Sequence, residues 1–219
     1  MSVASAARLL NEVSDECVVL QHVSWETYER LLADDEGRRV PRLTYDQGVL
    51  ELVTPSMPHK EDAGTIARIV DIVAAMLEMP IRSAGATTYR RPDLHRGFEP
   101  DASFYIQNEP RIRGQREVDL AVDPPPDLVL EMEMSRSTLN KLALFASMGI
   151  PEVWRCDGEI ITILLLHAEG YRASSRSQAL PALTGEILSR FLTASRAMLS
   201  PEWFRLVSEW SQAQAASSP

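Results

Sequence analysis

The chain has 219 residues, of which 45% are hydrophobic and 24% charged, and a net charge of −9. That length suits one domain with a substantial core, and no apolar run nears the roughly 18 residues of a membrane span. The acid excess argues against indiscriminate nucleic-acid binding, which needs basic surface. The N-terminus lacks the apolar core of a secretory leader, so the sequence predicts a cytoplasmic protein with no membrane partner.

In chain order, residues 1 to 17 read as an N-terminal extension, running into the short apolar stretch Cys17 to Leu20. Ser24 suits the cap of a helix that reaches about Ala33. Leu43 to Tyr45 and Val49 to Val53 predict a hairpin across Asp46-Gln47-Gly48. Pro55 to Pro58 is a loop. A long helix follows from about His59 to Leu77, with Ile66, Ile69, Val70, Val73 and Leu77 at helical spacing, and Pro80 stops it. Strands are expected over 81–89 and 101–106, parted by a loop over 91–97. Ser137 or Thr138 caps a helix from Leu139 to Met148, ended by Gly149. Pro151 to Cys156 and Glu159 to Leu166 pair across Asp157-Gly158. Short helices are expected near Gly185 to Leu192 and Glu202 to Gln214, and the small polar tail from Ala213 frays. The main domain is read as 18–195, with a C-terminal helix and tail over 196–219. The fold class is α/β (α+β), a mixed central sheet flanked by helices. Cys17 and Cys156 fit no metal-ligand spacing and read as reduced thiols.

The most informative stretch is Asp127 to Met134, introduced by Pro124-Pro125-Pro126. Leu128, Leu130, Met132 and Met134 share one parity; Asp127, Val129, Glu131 and Glu133 share the other. Period two marks a strand with two chemically different faces. Glu131 and Glu133 fall about 7 Å apart, two strand rises, and like charges so placed repel unless a cation or water relieves them. Asp101 follows Pro100 at the start of another strand, and Lys141 comes ten residues after Glu131. Carboxylates on separate strands with a lysine suit a divalent metal and a phosphate; a solvated outer face is the alternative. Residues 82–116 carry seven arginines against four acids, so an anionic ligand could be guided locally. Arg90, Arg91 and Arg96 are the candidates there, against the alternative of solvated loop arginines.

Read together, Glu99-Pro100-Asp101, Pro126 to Glu131, Lys141 and Gly149-Ile150-Pro151-Glu152-Val153-Trp154 resemble the restriction-endonuclease family of Uma type, within the PD-(D/E)XK nuclease superfamily. The Leu43 to Glu51 hairpin and the Pro55 to His59 helix entry belong to the same resemblance, which spans roughly residues 18–195. It implies a restriction-endonuclease-like fold and a metal-dependent endonuclease acting on DNA. Asp101 and Glu131 would be the catalytic acids and principal ligands of Mg²⁺ or Mn²⁺, with the Met132 backbone carbonyl as a third oxygen. The superfamily's lysine normally lies two residues after the second acid. Here that position is Glu133, and the resemblance implies that Lys141 supplies the lysine from the following helix, orienting water or neutralising phosphate charge. Glu133 is a further ligand or the ion-pair partner of Lys141. His59 is a further candidate, against a plain cap or surface role. Glu51 could share the cleft, although a solvated strand face is the simpler reading. Trp154 is read as core behind the site, and Asp127 as too near the strand's beginning to reach a metal.

Two alternatives stand beside this reading. One is a nucleic-acid-binding or interaction protein that kept the fold and lost turnover. The other is a metal-independent hydrolase with paired carboxylates, which would survive chelation. Gly-rich phosphate loops, serine-nucleophile elbows and zinc spacings are missing from the sequence. A homodimer is one way to cut two strands.

Overall fold

Two sheets and the helices around them follow from where the apolar residues alternate. The structure, a computed structural model, describes residues 14–34, 41–134, 137 and 139–217. The elements are β1 (Glu16–Leu20), α1 (Trp25–Asp34), β2 (Arg42–Asp46), β3 (Val49–Thr54), α2 (Met57–Met76), β4 (Arg82–Ser83), β5 (Tyr89–Arg91), β6 (Arg96–Phe98), β7 (Ala102–Tyr105), α3 (Glu109–Ile112), β8 (Leu128–Met132), α4 (Lys141–Ser147), β9 (Glu152–Cys156), β10 (Ile161–His167), β11 (Gly170–Ser174), α5 (Gly185–Ala197) and α6 (Ser200–Ser217). The first sheet runs β1-β3-β2-β6-β5 and the second β11-β10-β9-β8-β7-β4. All pairs are antiparallel except β8 with β9, so the second sheet is mixed.

The acidic strand β8 lies inside that second sheet and is buried along its whole length. Leu128, Leu130 and Met132 face the larger core with Trp154, Ile66, Ile69 and Val70. Trp154 thus packs in the core, as expected. Val129 lies in the other core, with Val153, Leu144, Phe145 and Tyr105. The period-two pattern is therefore real, but its acidic side is not a solvated face: Glu131 is only 8% exposed. The long helix α2 begins at Met57, two residues earlier than its periodicity suggests. Ser56 caps it, and Pro58 fits the first turn, where its missing N–H costs no bond. The C-terminal helix joins the same core through Trp203 and Val207.

Several local expectations change. The strand expected over 81–89 divides into β4 and β5, which belong to different sheets, with Gly85 in the left-handed region between them. The loop expected over 91–97 is a hairpin: Pro92 starts a 3-10 turn and His95 takes a left-handed conformation that lets β6 return along β5. Asn140, not Ser137, caps α4, accepting the Ala143 amide at 3.1 Å; Thr138 lies outside the described residues. Most of the expected extension over 1–17 also lies outside them, while Glu16 and Cys17 already belong to β1. In place of a tail fraying from Ala213, α6 continues to Ser217. Among the described residues no helix is long and apolar enough to cross a membrane.

Candidate active site

The site forms where one side of the first sheet meets the end of β7 and β8. In the β2–β3 hairpin Thr44 opposes Glu51 and Arg42 opposes Val53, so Arg42 and Glu51 share a side. The opposite side carries Leu43, Tyr45 and Leu50 against Tyr28 of α1. Hairpin pairing thus aims one cation and one acid at the second sheet.

Asp101 precedes β7 and clasps the end of β8. Its amide donates to the Leu130 carbonyl at 3.1 Å, and its Oδ2 accepts the Met132 amide at 2.8 Å. These two bonds flank Glu131 on either side. Asp101 Oδ1 takes an ion pair from Arg42 and lies 2.6 Å from His59 Nε2. His59 Nδ1 in turn lies 2.8 Å from Asp15 Oδ2, and Asp15 Oδ1 accepts the Ser56 amide at 2.7 Å. The helix cap that starts α2 is thereby tied to the acid of β7. Both ring nitrogens of His59 face carboxylate oxygens, an arrangement in which both act as donors only when the ring is doubly protonated.

Glu131 is reached from the other side. Lys141, the first residue of α4, donates to Glu131 Oε1 at 2.5 Å, and its ammonium stands 3.2 Å from Glu51 Oε1. Glu51 Oε2 accepts the Ser137 hydroxyl at 2.6 Å. Glu99 braces the approach: it accepts the Leu43 amide at 3.0 Å and the Thr88 hydroxyl at 2.6 Å, pinning the chain just before Asp101 to β2. Asp127 stays out of the site, spending its oxygens on the amides of Ile106 and Asn108 and on the Asn108 side chain.

Electrostatics follow from this crowding. Burial alone would lower the Lys141 ammonium, but the Glu131 and Glu51 carboxylates outweigh it and hold it above the ordinary lysine range. Burial pulls Arg42 below its usual range, against the attraction of Glu131, Glu99 and Asp15. Burial would raise Asp15, yet the Ser56 amide and His59 hold it below the usual aspartate range. Four carboxylates, on Asp15, Glu51, Asp101 and Glu131, therefore meet two side-chain cations and one histidine. The network carries more negative than positive charge while largely shut off from water.

The sequence-derived acids and lysine converge: Asp101 brackets Glu131, and Glu131 binds Lys141. His59 joins them through Asp101. Glu133 does not pair with Lys141. β8 ends at Met132, the Glu133 amide reaches the Cys156 carbonyl at 2.7 Å, and its carboxylate meets Arg155 Nε at 2.5 Å. The three candidate DNA-binding arginines are elsewhere. Arg91 binds Asp93, Arg96 binds Asp46 at 2.7 Å, and Arg90 lies 3.8 Å from Glu29. Arg90 lines a cavity of about 630 Å³ with Arg82 and Arg116. A separate cavity of about 520 Å³ is lined by Glu131, Glu133, Ser137, Asn140, Lys141 and Arg155, among others, and contains none of those three. Asp93 on the same hairpin, Asp46 of β2 and Glu29 of α1 thus stand against these three arginines.

Arg42 and Asp15 carry no expectation from the sequence, and for Glu51 the cleft, the less simple of its two readings, is where the structure puts it. One signal was available for Glu51: Val49 to Val53 is apolar at both parities, which marks a strand buried on both sides, so its one charge must be buried too. Arg42 could have been found from the hairpin register that places it beside Glu51. Asp15 had no local signal.

Carboxylate oxygens are hard donors that suit Mg²⁺ or Mn²⁺. The buried Glu51 Oε1 has no hydrogen-bond partner, and the network has a charge deficit that a dication would offset. As the side chains stand, Lys141 and Arg42 occupy these acids. Among the described residues no three His, Cys, Asp or Glu groups are already gathered to hold an ion.

Comparison with known proteins gives a family and a fold. The Uma2 family model, described as "Putative restriction endonuclease", matches residues 25–195. A crystal structure of a "putative nuclease belonging to DUF820" from Anabaena variabilis shares the fold at a TM-score of 0.50 and 13% identity, covering 78% of this chain and 99% of that one. No curated protein matches the chain. The matched span contains Arg42, Glu51, His59, Asp101, Glu131 and Lys141, and the chain belongs to the Uma2 family.

Proposed function

We propose that the protein is a metal-dependent endonuclease that hydrolyses phosphodiester bonds in DNA. The observation that carries this reading is the convergence of Asp101 and Glu131 at neighbouring strand ends, with Lys141 hydrogen-bonded to Glu131. Asp101 and Glu131 would hold Mg²⁺ or Mn²⁺, with the Met132 carbonyl as a third oxygen. The ion supplies an activated water and neutralises charge on the phosphate. Lys141 stays protonated, held by two carboxylates, and is placed to meet a phosphate oxygen in the adjoining cavity. Arg42 fixes one oxygen of Asp101 and His59 braces the same oxygen, so the acid is oriented before substrate arrives.

The test is titration of the purified protein with Mg²⁺ and Mn²⁺ on supercoiled and single-stranded DNA, beside Glu131→Ala. Nicking that needs the metal and is lost in the variant supports the proposal. A second reading, a DNA-binding or interaction protein without turnover, draws on the cations that already occupy Asp101 and Glu131. DNA binding without nicking at any metal concentration would favour it. Nicking that survives chelation would favour a metal-independent hydrolase.

A further inference from the structure

Glu51 is the least explained charge in the molecule. It is completely buried, in the middle of a strand whose neighbours Leu50 and Val53 are also buried. A buried carboxylate is costly unless its oxygens are satisfied. Ser137 satisfies Oε2 at 2.6 Å. Oε1 is buried without a hydrogen bond, and its neighbour is the Lys141 ammonium at 3.2 Å. That ammonium already donates to Glu131 at 2.5 Å. Two carboxylates thus share one cation, so a single ammonium separates Glu51 from the acid assigned to the metal. A glutamine here would serve the hairpin and Ser137 equally well, so hairpin structure alone does not account for the charge.

We propose that Glu51 is the third carboxylate of the divalent-ion site and that Lys141 is the cation it exchanges when the ion binds. This rests on the nuclease reading of Asp101 and Glu131 and adds a ligand from the other sheet. The hairpin then joins the two sheets through one ion, with Ser137 fixing the far oxygen of Glu51. Lys141 keeps its charge and moves toward the cavity, where a phosphate would meet it.

The test is Mn²⁺ binding to the full chain by titration calorimetry and by electron paramagnetic resonance, comparing parent, Glu51→Gln and Glu131→Gln. Glu51→Gln should bind Mn²⁺ about tenfold or more weakly. It should also lose most of the rise in unfolding temperature that Mn²⁺ gives the parent. Parental affinity in Glu51→Gln, with loss in Glu131→Gln, overturns the role of Glu51 and leaves the nuclease reading standing. No Mn²⁺ binding by the parent at millimolar concentrations overturns both. If Glu51→Gln does not fold, Glu51→Asp is read instead: it keeps the charge but withdraws it by one methylene. Weaker Mn²⁺ binding supports the proposal, and unchanged binding overturns it.

Discussion

Glu133 is held by Arg155, 2.5 Å away on the parallel neighbouring strand, so its ion pair is with Arg155 and not with Lys141. Both partners are about two-fifths exposed, where ion pairs contribute at most about 1 kcal/mol. Glu133→Gln is therefore expected to leave Mn²⁺ affinity within about twofold, with a stability loss under about 1 kcal/mol. Calorimetry and urea denaturation check this. Glu133→Lys restores the usual superfamily spacing but sets a lysine against Arg155, and should not speed cleavage while Lys141 is present.

Asp101 is expected to be structural as well as chemical. Asp101→Ala leaves Arg42 and His59 without their shared carboxylate and unties the Met132 amide. Losing one member of a buried charged network costs about 3–5 kcal/mol. Urea denaturation should show a loss of that order, and Asp101→Asn, which keeps the shape, should lose much less. Equal stability of all three proteins would contradict the network.

The pH dependence of stability has two limbs. Lys141 is raised in the folded state, so its contribution is full below the unfolded lysine value of about 10.4 and is lost as pH rises through the folded value. The stability gap between parent and Lys141→Met should narrow through that alkaline range. Asp15 is depressed, so its contribution is present above about pH 3.9 and lost as pH falls through the folded value. Asp15→Asn should flatten the acid limb. Urea midpoints measured across the pH range test both signs.

Gly97 of β6 lies against the buried ring of Tyr28. A Cβ there would collide with the Tyr28 hydroxyl and sit 2.8 Å from Cζ. The ring is packed with Tyr45 at a centroid distance of 5.0 Å and has little room to retreat. Gly97→Ala should cost about 1–3 kcal/mol, the usual penalty of overpacking. A variant as stable as the parent in thermal unfolding would show that the aromatic cluster yields.

Cys156 is buried at the end of β9, and burial pushes its thiol up to about 11. Alkylation of Cys156 at pH 8 should therefore follow unfolding rather than precede it. Mass spectrometry of iodoacetamide-treated protein across a urea series would reveal the opposite if Cys156 reacts fully before the unfolding transition.

The place of the candidate acid Glu131 was legible because strand alternation is a local property. Leu128, Leu130 and Met132 had to share one side, which placed Glu131 on the other, and Lys141 followed within one helix. The ion pair expected between Glu133 and Lys141 is replaced by one with Arg155, because parity assumes the strand continues, whereas β8 stops at Met132. The partners of Arg90 and Arg96 were not legible, because Glu29 and Asp46 lie in elements far from them in the chain, outside the 82–116 segment over which charge was counted. Ser137 looked like a cap by type, but Asn140 sits nearer the helix start and frees Ser137 for Glu51. Asp15 depends on its contacts with Ser56 and His59 at the start of α2, more than 40 positions away, which no short window of sequence contains.

The charge network joins residues far apart in the chain: Glu51 with Ser137 across 86 positions, Arg42 with Asp101 across 59, and His59 with Asp15 across 44. Closing such loops costs entropy before any contact repays it. Hairpins and helices can form during folding with none of these links made. Competence to bind metal should accordingly appear after most of the circular-dichroism signal has returned in a refolding experiment. The same topology makes the site an early casualty of partial unfolding, so a brief separation of the two sheets would silence the protein while leaving its secondary structure in place.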